Sequence, residues 1–497
     1  MRPVTELQEH PRDLRYAPLA AGLALVIAAA RVAATLYSMH EAPYYDQWAG
    51  IDGIALPRAA HAFDLRYLFQ PHNEHLMVWT KLLDWLQLVA ADNQYDARPV
   101  GILLAVLSAV VAGLLLAGGA CRLKKGRGAW LCAGLALAAI PYSWESLSVT
   151  WNNAFVFLIA GAASTLWLAA QGTRAHVIPM LAAATLSVLA MGTGWLAPLM
   201  GIGIVVYRAM RRELPTADAA ALALAQIAAM VLALLLMAGK THSGDPRPVD
   251  AALVLAQLAL LTMAFVPTGL MLAQIFSGAG TNSQNVATVA RRQIDMFIAA
   301  LAVWGYLHVL SMIVLRSEFR LWLPISRYMD VIVVAILANL ACWLRLRASG
   351  FGRLWSRTAV PAVASFAVIT VLAAPLPLYF LQWRADRLTQ AEALIAATVR
   401  DHDATAIARA DSSILPFPDR AYLETKLADE NVRHILGDRV GSRTQPAAFV
   451  RVSRDIERVM MDHGIVLSIV AVAVALVLFT LARRPARNGA ETAQETS

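Results

Sequence analysis

Five short clusters of polar and aromatic residues interrupt an otherwise apolar chain, and each has side chains suited to chemistry. Tyr44-Tyr45-Asp46-Gln47-Trp48 sets one carboxylate among aromatic rings just after the first apolar run. An acid so placed can act as a general base toward a hydroxyl; the plain alternative is a polar loop beside an interfacial aromatic belt. Gln70-Pro71-His72-Asn73-Glu74-His75 gathers two imidazoles, an amide and a carboxylate. Spaced i,i+3, His72 and His75 would share a helix face. Metal ligation and hydrogen bonding to hydroxyls or phosphate both fit, as does a solvated helix start capped by Asn73.

The third cluster is Tyr142-Ser143-Trp144-Glu145 with Trp151-Asn152-Asn153 behind it. Its rings offer flat apolar faces and its Glu and Asn offer hydrogen bonds, although Trp also anchors spans at an interface. Met191-Gly192-Thr193-Gly194-Trp195 holds two glycines that allow close backbone approach or a tight turn. Arg316-Ser317-Glu318-Phe319-Arg320 and Ser326-Arg327-Tyr328 bring guanidinium groups to the start of a late apolar run. Arg grips phosphate bidentately, or snorkels to headgroups. Arg31 lies inside the first apolar run, where an ionisable side chain points to function by default, yet it is near enough to one end to snorkel.

The elements that position these residues are membrane helices. The 497 residues are 58% hydrophobic and 15% charged, with mean hydropathy +0.55, against about a quarter charged in soluble domains. We expect an all-α polytopic membrane protein with about twelve spans near 16–37, 99–120, 128–142, 149–170, 176–191, 194–208, 217–238, 251–275, 293–315, 328–345, 358–380 and 463–482. The third to sixth are short enough for two tilted hairpins. The first follows a charged leader and is too long for a signal-peptide core, so it reads as an uncleaved anchor. Cys121, Cys132 and Cys342 show no metal-type spacing or disulfide framework.

Orientation follows from the short loops. One side takes Arg122, Lys124, Lys125, Arg127, Arg208, Arg211, Arg212, Arg291, Arg292, Arg345, Arg347 and the basic residues of both termini. That side is expected to be cytoplasmic, in a bacterial inner membrane. The net charge of +8 therefore serves topology and not nucleic-acid binding. Two segments on the other side exceed mere connections. Residues 38–98 include a stretch, 72–91, that would lie at the interface with Leu76, Trp79, Leu83 and Leu86 along one side. Residues 381–462 form a small helical domain, with helices over 384–400 and 422–436. The core is then 1–380, the last span 463–482, and 483–497 a polar disordered tail. This topology puts Asp46, His72 to His75, Glu145, Asn152, Trp195 and Arg327 all at the outer surface.

On the segments Asp46-Gln47-Trp48, Pro71-His72-Asn73-Glu74-His75, Trp144-Glu145 and Ser326-Arg327-Tyr328, together with the long first outer loop and late outer domain, the chain resembles the GT-C superfamily of membrane glycosyltransferases. The resemblance spans most of the chain in layout but only these short motifs in sequence. It implies a polyprenyl-phosphate sugar donor and a glycan or lipid acceptor. It also implies that Asp46 is the catalytic base, assisted by Glu74, and that Arg327 holds the departing phosphate. His72, Asn73, His75, Trp144, Glu145, Asn152, Tyr328 and Arg31 would line the substrate site. Gln47 stands where many relatives carry a second acid, which argues for metal-independent, cofactor-free transfer. A polymerase or ligase acting on lipid-diphosphate-linked glycans is an alternative. So is a transporter or lipid flippase, although the chain shows no internal repeat.

Overall fold

The computed structural model describes residues 13–73, 75–123, 126–238, 264–277, 286–315, 326–349, 375–401 and 405–483. The longer helices are α1 (Asp13–Ser38), α2 (Val78–Ala90), α3 (Arg98–Arg122), α4 (Arg127–Ala139), α5 (Trp144–Ser148) and α6 (Phe155–Gln171). They continue as α7 (Val177–Val188), α8 (Leu196–Met210), α9 (Thr216–Met237), α10 (Val266–Ser277), α11 (Val286–Leu315) and α12 (Met329–Ser349). After these come α13 (Pro375–Asp401), α14 (Arg420–Ala428), α15 (Glu430–Ile435), α16 (Ala448–Asp462) and α17 (Gly464–Arg483). The regular structure of the described residues is all helical, without a named strand.

Among the described residues, seven helices are long and apolar enough to cross a membrane: Tyr16–Ser38, Arg98–Arg122, Thr150–Gln171, Thr216–Met237, Thr288–Met312, Ser326–Ala348 and Gly464–Ala482. Each falls on one of the expected spans. Three further expected spans correspond to helices of only 12 to 15 residues, α4, α7 and α8. At about 1.5 Å per residue these run about 18–23 Å, short of a hydrocarbon core of about 30 Å. Of the span expected at 251–275, only its end, within α10, is described. The span expected at 358–380 lies outside the described residues up to 374. From Pro375 the chain is one continuous helix, α13, that runs on through the expected helix over 384–400.

Small residues let the apolar helices touch backbone to backbone. A β-carbon at Gly113 of α3 would meet the Ala20 carbonyl and Ala24 nitrogen of α1, both at 2.8 Å, and one at Gly161 of α6 would meet the Ser187 nitrogen of α7 at 2.5 Å. This is the packing expected where lipid supplies no hydrophobic drive between helices. α17 buries Ala471 and Ala475, packs Phe479 against the core and exposes Ile465, Val466, Ile469, Val470, Leu476 and Val477, a surface suited to acyl chains.

The expected loop 38–98 and domain 381–462 share one core. Trp48, Ile51, Ile54, Leu68, Leu88 and Tyr95 from the former cluster with Ile395, Val399, Ile407, Leu423, Leu427, Val432 and Ile435 from the latter. The expected helix over 422–436 is two helices, because Asp429 turns extended and caps α15 by accepting from the Asn431 N–H. Nor does 72–91 start as a helix. His72 and His75 exchange backbone hydrogen bonds of 2.6 and 2.9 Å, with Asn73 in the left-handed region at φ 50°. The helix begins only at Val78, so Asn73 is a turn residue and not its cap.

Candidate functional site

The site lies at the bundle end where α1 stops and α3 starts. Asp46 sits in a short helical turn, Tyr45–Gln47, that Tyr45 enters at φ 49°. A bulky residue in that region is strained, and the surroundings hold it there. The Tyr45 N–H donates to the Pro416 carbonyl at 2.7 Å, and the Tyr44 ring lies under the Arg384 guanidinium of α13 at 4.3 Å. Gln47 is buried and uses both ends of its amide. Its oxygen accepts from the Tyr44 N–H at 2.8 Å, and its nitrogen donates to Thr150 Oγ1 at 3.0 Å. The amide thus both accepts and donates, which a carboxylate at 47 could not do.

The turn around 72–75 brings its imidazoles to Asp46. His72 Nε2 lies 3.6 Å from Asp46 Oδ1. The His72 ring packs edge-on against Trp151, with centroids 5.0 Å apart. Trp151 Nε1 in turn donates to the buried Asp84 of α2 at 2.5 Å. His75 Nδ1 accepts from the Gly192 N–H at 3.1 Å, which places the ring proton on Nε2. Glu74 lies outside the described residues.

Arg327 arrives from the far end of the sequence. Glu145, in the first turn of α5, accepts from the Arg327 N–H at 3.0 Å, while the Glu145 N–H donates to Ser326 Oγ at 3.0 Å. The Arg327 guanidinium lies 5.4 Å from the centre of the Tyr328 ring, and that ring packs edge-on against Phe155 at 5.3 Å. The site's electrostatics show the convergence. His72 first, and then the charge of Arg327, hold Asp46 below the ordinary carboxylate range, against the opposing effect of burial. Burial, with the charges of His72 and Arg327, pushes His75 down to about 4. Asp46, His72, His75 and Arg327 thus share one site, with an ionised carboxylate, a neutral imidazole and a guanidinium. The Asp46 side chain keeps 43% exposure, open to a second reactant.

Other expected site residues stand elsewhere. Trp144 stacks on Phe380 (5.8 Å) and meets Trp383 edge-on (6.4 Å), both on α13. Residues 140–154 connect α4 to α6 as a largely buried segment that contains α5, longer than a tight turn. Ser143, Ser146, Ser148, Thr150 and Asn153 are all buried. Ser146, Ser148 and Asn153 bond to the local backbone, as when Asn153 Nδ2 donates to the Ser146 carbonyl at 2.7 Å, whereas Thr150 receives Gln47 and Ser143 donates to Asp330. Asn152 offers its backbone carbonyl to Ser146 Oγ at 3.1 Å. Arg31 neither snorkels nor reaches this site. It is buried and pairs with Asp330 at 2.5 Å, while also donating to the Ala138 carbonyl at 3.0 Å and Ser108 Oγ at 3.1 Å.

The sequence matches no family model, and neither a curated protein nor a solved structure is similar to it.

The sequence reading passed over Asp84, Asp330 and Glu41. Burial raises Asp84 to about 7, partly offset by Trp151. Asp330 accepts from Ser143 Oγ at 3.1 Å besides holding Arg31. Glu41, five residues before Asp46, binds Arg98 (2.6 Å), Arg439 (3.0 Å) and Arg454 (2.6 Å) and so ties the Asp46 segment to the late helices. The signal for Asp84 was present. Thr80, Lys81, Asp84 and Gln87 form a polar stripe at helical spacing, and that stripe faces inward. Among the described residues no three His, Cys, Asp or Glu side chains gather as ligands for a metal ion.

Proposed function

We propose that this chain is a membrane glycosyltransferase of GT-C type. It moves a sugar from a polyprenyl-phosphate donor to a hydroxyl of a cell-envelope glycan or lipid, at the outer face of the inner membrane. The observation that carries this reading is the meeting of Asp46, His72, His75 and Arg327, drawn from three distant segments, at one end of a membrane bundle.

In this reading Asp46 takes the proton of the acceptor hydroxyl as that oxygen bonds to the anomeric carbon. The bond from the anomeric carbon to the phosphate oxygen breaks, and its electron pair leaves with the lipid phosphate. Arg327 balances the charge gathering on that phosphate. His75, neutral above about pH 4, offers Nε2–H as a hydrogen-bond donor that does not switch off at physiological pH. A carboxylate below its ordinary range is a weak base. It suits a transfer in which the proton moves late, once the acceptor oxygen has become acidic by bonding to carbon.

The test is transfer of labelled sugar from a polyprenyl-monophosphate donor in proteoliposomes. Asp46→Asn should lower the rate by about 10²–10⁴-fold while leaving the protein folded in the membrane. Wild-type rate in that variant would overturn the assignment. Use of a diphosphate-linked glycan but not the monophosphate sugar would replace it with the polymerase or ligase reading.

A further inference from the structure

α16 carries three different faces. Toward the protein it presents Arg454 and Glu457, both buried. Arg454 holds Glu41 at 2.6 Å and Asp438 at 2.9 Å, and Glu457 meets Arg98 at 3.0 Å. A second face presents Arg451, Asp455 and Arg458, all exposed. The third presents Phe449, Val452, Ile456 and Val459, at successive steps of three and four residues, with 38–58% of each side chain's residue exposed. A soluble helix that sent its charges inward and its aliphatic residues outward would be the reverse of the usual pattern. The order makes sense when the outward apolar edge meets something other than water.

Its place in the chain says what that is. α16 ends at Asp462, and α17, whose sides are almost wholly exposed aliphatic surface, begins at Gly464. The apolar edge of α16 therefore continues onto the surface that α17 gives to acyl chains. The exposed Arg451, Asp455 and Arg458 flank that edge, as charged side chains do on helices lying in a headgroup layer. We propose that α16 is an interfacial helix, its Phe449–Val459 edge seated in the phospholipid headgroup–acyl boundary of the site-bearing leaflet. The same helix clamps Glu41 through Arg454, so its seating fixes the segment that carries Asp46 relative to the membrane surface.

Nitroxide labels at single cysteines test this in nanodiscs of phosphatidylethanolamine and phosphatidylglycerol, with Cys121 and Cys132 replaced by serine and the buried Cys342 kept. A label at Val452→Cys should be relaxed by molecular oxygen and lose relaxation by a water-soluble nickel chelate, reporting a depth of about 5–10 Å. A label at Asp455→Cys should show the reverse. Equal access of the chelate to both positions would overturn the proposal. So would spin–spin broadening at 452 that disappears on dilution with unlabelled protein, which would make a second copy the occupant. No catalysis enters this measurement, so its outcome stands apart from that of the transfer assay.

Discussion

Among the described residues Asp84 has one hydrogen bond, from Trp151, and burial, only partly offset by it, raises the carboxyl to about 7. The sign of the linkage follows. A raised native value means the folded state holds a proton that the unfolded state has lost, so the associated stability is present below about 3.9 and declines as pH rises through 7. Asn at this position keeps an acceptor for Trp151 Nε1–H but has no proton to lose. Thermal unfolding of Asp84→Asn and wild type should therefore lie closest near pH 4 and separate progressively in favour of the variant up to pH 8; a pH-independent difference would refute the protonation argument. Asp46 runs the other way. Its lowered value keeps it ionised through the physiological range, with stability lost only as pH falls below the usual carboxylate range. Of these two acids Asp46 was the easier to read in the sequence. It stands alone among rings in a loop, whereas Asp84 is disguised inside an amphipathic helix whose buried face a soluble-protein reading assigns to leucine.

At the scale of elements, the sequence patterns located helices well and faces poorly. α2 exposes Leu86 and Val89 and buries Thr80, Lys81, Asp84 and Gln87 beside Val78 and Leu88, so periodicity marks the helix without saying which side is inside. Turns were the other blind spot. His72 and His75 share no helix face, because Asn73 takes a left-handed conformation that spacing alone does not reveal. The short α5 shows how one element places a residue of another. Glu145 was expected to bind substrate, and in the structure its carboxylate receives the Arg327 N–H while its own N–H donates to Ser326. Removing a charged acceptor from such a bond costs about 1.5–3 kcal/mol. Glu145→Ala should lose that much in denaturant unfolding from micelles and raise the apparent KM for the lipid donor. Glu145→Gln, which keeps an acceptor oxygen, should recover most of both. Equal damage from the two variants would mean that the charge contacts substrate directly, as the sequence reading supposed.

Across the whole molecule, the seven helices long and apolar enough to cross a membrane were readable because about twenty consecutive apolar residues are a local property. The pairings that close the bundle were not, because they join residues hundreds of positions apart. Arg31 was conspicuous inside α1 but had no visible partner; Asp330, 299 residues later, supplies one. Breaking a buried pair by deleting one member strands the other charge and costs about 3–5 kcal/mol, whereas replacing both with apolar residues of similar volume is often nearly neutral. Arg31→Met and Asp330→Leu should therefore each destabilise the bundle strongly in detergent-mediated unfolding, and the double variant should be more stable than either. Recovery should stop short of wild type, since Ser108, Ser143 and the Ala138 carbonyl lose their partners in the double variant. Strictly additive losses would show that the two charges are not coupled. Because Asp330 follows Arg327 by one helical turn, this pair also fixes the start of α12 against α1. A double variant that regains stability yet transfers sugar slowly would show the ion pair setting the position of the Arg327 guanidinium, and not merely holding two helices together.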